Sequence, residues 1–309
     1  MTNILNNLNP EQLEAVTLPP VNEAGNSQSA MILAGAGSGK TKVLTTRIAW
    51  LIQTGQASPV GVLAVTFTNK AAKEMLTRLS AMMPINTRGM WVGTFHGLCN
   101  RLLRAHHKDA GLPSTFQILD TQDQLSAIKR LLKSLKIDDE KYPPKQLQYF
   151  IAHAKEKGMR AKDMDRGDSF QNTMVELYQA YEEQCQREGV VDFAELLLRS
   201  YELLKHHQPI REHYQERFRH ILVDEFQDTS KMQWMNLIPL IHNGLSQGHE
   251  SMVVGDAKQS IYRWRSGYVE QFISLPSIPP EFEMPWAEKT FHDNIDLVPL
   301  QTNYRSSES

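Results

Sequence analysis

Eight consecutive residues, Ala34-Gly35-Ala36-Gly37-Ser38-Gly39-Lys40-Thr41, have the composition of a phosphate-binding turn. Alternating glycines let a backbone wrap with its N–H groups turned toward an anion. A helix starting at about Lys40 would add the positive end of its dipole. Lys40 would reach the β- and γ-phosphates of a nucleotide, and Thr41 would offer its hydroxyl to Mg²⁺. The turn follows an apolar strand, Met31-Ile32-Leu33-Ala34. It precedes a helix whose apolar stripe is Val43, Leu44, Ile48 and Ile52, which is the context such a loop requires. The generic pattern opens on glycine, whereas this one opens on Ala34.

A second constellation lies at Ile221-Leu222-Val223-Asp224-Glu225, an apolar strand ending in two carboxylates. At the carboxyl end of a parallel strand such groups stand beside a phosphate loop. Asp224 would hold Mg²⁺, through water, and Glu225 would orient and deprotonate an attacking water. An apolar run followed by Asp-Glu also occurs at helix caps. Paired with the phosphate loop, it reads as the magnesium and water-activating site of an ATPase.

These residues need a sheet to hold them. Short apolar runs at Met31–Ala34, Val62–Val65, Trp91–Thr94, Ile221–Val223, Met252–Val254 and Val298–Leu300 alternate with amphipathic stretches, predicting an α/β fold with a parallel sheet. Helices are expected from about Lys40 and across Ala71 to Leu79. Residues 111–206 read as helices only: a capping box at Thr121-Gln122-Asp123-Gln124, the face Leu125, Ile128, Leu131, Leu132 and Leu135, a break at Tyr142-Pro143-Pro144, then helices over Val175–Arg187 and Phe193–Leu204. The expected organisation is an ATP-binding domain of residues 1–110 and 207–309, interrupted by an inserted all-helical subdomain at 111–206. The proline-rich stretch from Pro276 to Pro299 reads as a long surface connection.

With 41% hydrophobic and 22% charged residues in 309, the chain has the balance of an ordinary globular protein and the apolar mass for a core. Its formal net charge of −2 argues against a wholly electrostatic nucleic-acid binder but leaves room for a local groove. Cys99 and Cys185 are far apart and lack metal-ligand spacing, so two buried free thiols in a reducing compartment are expected. The first ten residues lack an apolar signal core, and no apolar run reaches bilayer length, so the reading is a soluble cytoplasmic protein with no membrane partner.

Asp224-Glu225-Phe226-Gln227-Asp228 is more specific than a generic acidic pair. It resembles motif II of superfamily 1 DNA helicases of the UvrD/Rep/PcrA type, and other segments resemble that family in order along almost the whole chain. Leu8-Asn9-Pro10-Glu11-Gln12 is similar to its Q motif, Thr66-Phe67-Thr68-Asn69-Lys70-Ala71-Ala72 to motif Ia, and Gly93-Thr94-Phe95-His96-Gly97 to the next DNA-contacting motif. Asp192-Phe193-Ala194-Glu195-Leu196-Leu197 matches a further segment, and Gln301-Thr302-Asn303-Tyr304-Arg305-Ser306 resembles motif IV. Gly255-Asp256-Ala257-Lys258-Gln259-Ser260-Ile261-Tyr262-Arg263-Trp264-Arg265 looks like motif III, in the form found in the RecB/AddA branch.

The resemblance implies a P-loop NTPase of RecA-like fold, using ATP and Mg²⁺ to move 3′ to 5′ on single-stranded DNA in repair or replication, with single strands and DNA junctions as its partners. By the same resemblance, Gln12 would read the adenine edge, Lys42 would take the place of an arginine beside the base, and Tyr304 would stack near the adenine. Gln259 would sense the γ-phosphate and Arg305 would contact it. Phe67, Thr68, Asn69 and His96 would line the DNA groove with Tyr262, Trp264 and Arg265. Read without the family, the Tyr262–Arg265 cluster fits a base-stacking platform or a buried aromatic pair with surface arginines; His96 alone reads as a core histidine.

The family's second motor domain, with motifs V and VI, lies outside these 309 residues. The chain by itself is therefore expected to hydrolyse ATP poorly and not to unwind DNA. The alternatives are a helicase–nuclease subunit of the RecB/AddA kind, a non-catalytic DNA-binding module that keeps the fold, and a P-loop ATPase unrelated to DNA. Intact Lys40, Thr41, Asp224, Glu225 and Gln259 argue against the second, and the aromatic motif III against the third.

Overall fold

The structure is a computed structural model, and it describes residues 4–18, 29–35, 37–256, 258 and 267–300. In chain order the first elements are α1 (Pro10–Val16), β1 (Ser29–Ala34), α2 (Lys40–Gln53), β2 (Val62–Thr66), α3 (Asn69–Met82), β3 (Trp91–Thr94) and α4 (Phe95–Ala105). Next come β4 (Gln117–Leu119), α5 (Thr121–Ser134), α6 (Pro144–Glu156), α7 (Ser169–Glu188), β5 (Val190–Asp192) and α8 (Phe193–His206). The last are α9 (Gln208–Arg217), β6 (His220–Val223), α10 (Lys231–Ser246), β7 (Ser251–Gly255), α11 (Val269–Ser274), α12 (Pro285–Asn294) and β8 (Ile295–Leu300). The chain divides into two compact units, Met1–Leu98 with Gln208–Ser309, and Cys99–His207.

The first unit is built on a six-stranded sheet in the order β3-β2-β6-β7-β1-β8, with every neighbouring pair parallel. β2, β6 and β7 are buried at every residue. That is why they read as unbroken apolar runs rather than alternating ones: helices cover both faces of a parallel sheet. Ala30, Ile32, Ala64, Leu222, Met252 and Val254 from the strands meet Val43, Leu44 and Ile48 of α2 and Met75 and Leu79 of α3 in one core. The register pairs Leu33 with Gly255, Val253 with Val223, Val223 with Val65 and Thr66 with Thr94. The carboxyl ends of five strands therefore come out along one edge.

The second unit has its own core of Ile128, Leu132, Leu147, Ile151, Leu177, Tyr178 and Tyr181 from α5, α6 and α7. It also carries a short parallel ladder, β4 with β5, where the sequence reading expects helices only. Three-residue strands are too short to leave a period-two signature. The cap of α5 is Asp120, whose carboxylate accepts from Gln122 N and Asp123 N at 2.8 Å, one residue before the expected Thr121.

The Pro276–Pro299 stretch is not a surface connection. It folds into α12 and β8, and buries Ile278, Phe282, Met284, Ala287 and Phe291. Pro285 stands in the first turn of α12, where a missing N–H costs nothing. Cys99 is buried and Cys185 half-buried, and neither is in a disulfide. Among the described residues no helix is long and apolar enough to cross a membrane.

Candidate nucleotide and nucleic-acid site

β1 ends at Ala34, 2% exposed, and the chain turns into the phosphate loop. Within it Ser38 Oγ donates to Gly35 O at 2.8 Å and Ser38 N donates to the same oxygen at 3.3 Å. Gly37 and Gly39 have φ of 78° and 87°, left-handed values that a Cβ would strain. The turn ends at Gly39, so Lys40 and Thr41 open α2 with their N–H groups at its positive end. A Cβ on Gly35 would meet no heavy atom within 4 Å outside its chain neighbours.

β6 delivers the acids. Asp224 N donates to Val65 O at 2.9 Å, extending the sheet by one bond. Asp224 Oδ1 accepts from Glu225 N at 2.9 Å, and Thr41 Oγ1 donates to Asp224 Oδ2 at 3.1 Å. Two residues 183 apart in sequence thus meet where the sequence reading places a magnesium ion. Burial pushes the Asp224 carboxyl up, while Thr41, the Glu225 amide and Lys40 oppose that shift. The Glu225 carboxyl is also raised, by burial and then by the charges of Asp224 and Asp228, with Lys40 opposing. Glu225 holds φ of 50°, a strained conformation for a side-chain-bearing residue.

Phe226 anchors this turn. It is fully buried, edge-on to Trp234 at 4.6 Å between centroids and tilted against Phe272 at 5.8 Å. Gln227 ties the end of β6 to the end of β7, because its Oε1 accepts from Asp256 N at 3.0 Å. A Cβ on Gly255 would stand 2.6 Å from that oxygen. The sequence reading gave Gln227 no role; its signal was a glutamine inside an otherwise acidic motif.

Gln12, expected at the adenine edge, is buried with both ends of its amide in use. Its Nε2 donates to Ser38 O at 2.8 Å and its Oε1 accepts from Asn9 N at 3.3 Å. Lys42 donates to Asn7 O. These two residues therefore meet the loop and the N-terminal segment.

A hard oxygen pair such as Thr41 and Asp224 suits Mg²⁺, which keeps several waters and phosphate oxygens and needs few protein ligands. Among the described residues no cluster of three or more His, Cys, Asp or Glu is present.

On the other flank of β6, β2 and β3 end in the two segments read as DNA-contacting. Thr68 and Asn69 are exposed and Phe67 and His96 half-buried. Thr68 caps α3 by accepting from Ala71 N at 3.1 Å. Thr94 Oγ1 reaches Asn69 Oδ1 at 3.5 Å, joining the two segments. Burial lowers the His96 imidazole and favours its neutral form. Ala36, Gln259, Tyr262, Trp264, Arg265, Tyr304 and Arg305 lie outside the described residues.

A family model, the UvrD/REP helicase N-terminal domain, matches residues 8–277. DNA helicase II of Escherichia coli strain K12 is 46% identical over 307 residues, covering 98% of this chain and 39% of that protein. The ATP-dependent DNA helicase PcrA of Staphylococcus epidermidis is 36% identical over 300 residues, covering 96% and 40%. PcrA of Bacillus subtilis strain 168 is 34% identical over 306 residues, covering 98% and 38%. The chain thus spans about two fifths of the relatives it matches.

Proposed function

The chain belongs to the UvrD/REP helicase family, and on that premise we propose that it supplies the ATP pocket and one wall of the single-strand groove of an ATP-dependent DNA helicase. The observation that carries this reading is the meeting at 3.1 Å of Asp224 with Thr41, the second residue of the helix that follows the glycine turn. Lys40 and the loop amides hold the β- and γ-phosphates. Thr41 and Asp224 offer oxygens to Mg²⁺, which supplies charge neutralisation at the transferring phosphoryl group. Glu225 takes the proton of the attacking water, and its raised carboxyl makes it a stronger base than an ordinary glutamate.

Phe67, Thr68, Asn69 and His96 form the described part of the DNA wall, with Tyr262, Trp264 and Arg265 adding aromatic faces and charge. Gln259, Tyr304 and Arg305 complete the nucleotide side. β6 separates the DNA-facing strands from the nucleotide-facing ones, so the sheet edge itself couples them. Residues 111–206 form a subdomain inserted into this motor domain. Movement runs 3′ to 5′ along single strands, and the two free thiols fit a reducing cytoplasm. Relatives named DNA helicase II and PcrA, matched along nearly all of this chain, support that branch over a helicase–nuclease subunit.

The test is the linkage between the two ligands. A fluorescent oligo-dT strand is titrated with the chain, with and without a non-hydrolysable ATP analogue and Mg²⁺. The strand binds, more weakly as salt rises, and nucleotide shifts its affinity in wild type but not in Lys40→Ala. Absence of strand binding, or an identical nucleotide response in Lys40→Ala, contradicts the reading.

A further inference from the structure

Arg47 lies two turns beyond Lys40 on α2, about 10 Å along the helix. It is a guanidinium in the core, 1% exposed. Its Nη1 donates to Val16 O at 2.6 Å and to Leu18 O at 2.9 Å, and its Nη2 donates to Glu250. Glu250, just before β7, is 6% exposed, and its other oxygen stands 3.6 Å from His220 Nδ1. Burial works against the charge on both Arg47 and Glu250, and their pairing offsets it only in part. A buried ion pair is a poor source of net stability compared with apolar packing. The arrangement is better understood by what it grips: the two carbonyls at the far end of α1.

α1 has seven residues, too few to hold a helical position unaided. Its location is set by contacts at both ends and by Ala15, Val16 and Leu18, which pack with Val43, Leu44 and Ile48 of α2. At its start Asn9 and Gln12 form a reciprocal capping box, and Gln12 Nε2 bonds Ser38 O inside the phosphate loop. At its finish Arg47 takes Val16 and Leu18. The contacts close a ring: phosphate loop, Gln12, α1, Arg47, α2 and back to the loop. Gly39 shows how tight the ring is, since a Cβ there would stand 2.8 Å from Gln12 Nε2.

We infer that Arg47, with Glu250 as its counter-ion, is a positioning residue for the nucleotide site. By holding the carbonyls of Val16 and Leu18 it fixes α1, and through Gln12 it fixes Ser38 and the loop in the shape that accepts a triphosphate. This rests on the reading of that loop as an ATP site.

The experiment measures the affinity of the whole chain for a fluorescent ATP analogue with Mg²⁺. Wild type is compared with Lys40→Ala, Gln12→Ala, Arg47→Met, Arg47→Lys and the Gln12→Ala/Arg47→Met double variant, all below their thermal midpoints. Arg47→Met weakens binding about tenfold, the scale of one positioned hydrogen bond. Arg47→Lys recovers only part, because the compact ammonium, although it has three N–H donors, lacks the planar fork that spreads donors from Nη1 to Nη2 across the two carbonyls and the carboxylate. The double variant binds like the weaker single, since both substitutions break the same ring.

Wild-type affinity in Arg47→Met, or a double variant whose loss is the full product of the singles, overturns the inference. If Arg47→Met does not fold, Arg47→Lys and its double with Gln12→Ala decide in the same way. A wild type that binds while Lys40→Ala does not establishes the site whatever Arg47 does. A wild type that binds no better than Lys40→Ala removes the site and the inference with it.

Discussion

Glu225 occupies a position that weakens the fold for two separable reasons, and substitutions there should raise stability while removing catalysis. Its φ of 50° is left-handed, which costs a side-chain-bearing residue about 1–2 kcal/mol. Its own burial, and then the charges of Asp224 and Asp228, also raise its carboxyl pKa. Glu225→Gln removes the charge and keeps the strain, for an expected gain of about 0.5–1 kcal/mol, typical of relieving one unfavourable charge. Glu225→Gly removes both, but glycine brings back about 0.5–1 kcal/mol of chain entropy. The strain portion then nets about 0–1.5 kcal/mol further for the glycine variant. Chemical denaturation monitored by circular dichroism should therefore rank wild type below Glu225→Gln below Glu225→Gly.

The pH dependence has a fixed sign. A carboxyl whose folded pKa is raised weakens the fold as pH climbs through that raised value, and does no harm below the unfolded value of about 4.3. The advantage of Glu225→Gln should be full at pH 8 and absent near pH 4. ATP turnover, already slow in this chain by itself, should fall further in both variants, by up to the ~10²–10⁴-fold worth of a general base. A glycine variant less stable than the glutamine one would refute the strain argument. Turnover near wild type in Glu225→Gln would refute the assignment of the base.

Lys155→Met should destabilise the second unit by about 3–5 kcal/mol, the loss expected when a buried pair is broken. Lys155 is 3% exposed and holds Asp192 at 2.7 Å and Glu195 at 2.9 Å; urea unfolding of wild type and variant gives the difference. Cys99 and Cys185 are both pushed up to about 11, mainly by burial. They should react with Ellman's reagent at pH 8 far more slowly in the native chain than in urea, because little thiolate is present. Gly255→Ala should cost about 1–3 kcal/mol through overpacking, since its Cβ would meet Gln227 at 2.6 Å and the Phe272 ring at 3.1 Å; the thermal midpoint reports it.

The central strands were legible because a sheet buried on both faces demands continuous apolar runs, and β3 was read to its observed limits, Trp91–Thr94. The phosphate loop was legible because its chemistry is contiguous in sequence. α10 was missed: its helix carries Pro239 in the interior and is buried on most sides, so no single polar face marks it. Proline density also hid α12, although Ala287 and Phe291 are buried there. The contacts that shape the site are the least legible. Arg47 and Glu250 stand 203 residues apart, and Thr41 and Asp224 183 apart. Periodicity carries no information about which distant residues a sheet brings together.

Lys40, Thr41 and Asp224 are assigned to one metal–nucleotide complex. Electron paramagnetic resonance of Mn²⁺ titrated into the chain with ATP tests this directly, Mn²⁺ standing in for Mg²⁺. A bound-metal signal that needs both protein and nucleotide, and that is lost in Lys40→Ala and in Asp224→Asn, is the expected result. Mn²⁺ bound equally without nucleotide, or unaffected by either substitution, would contradict it.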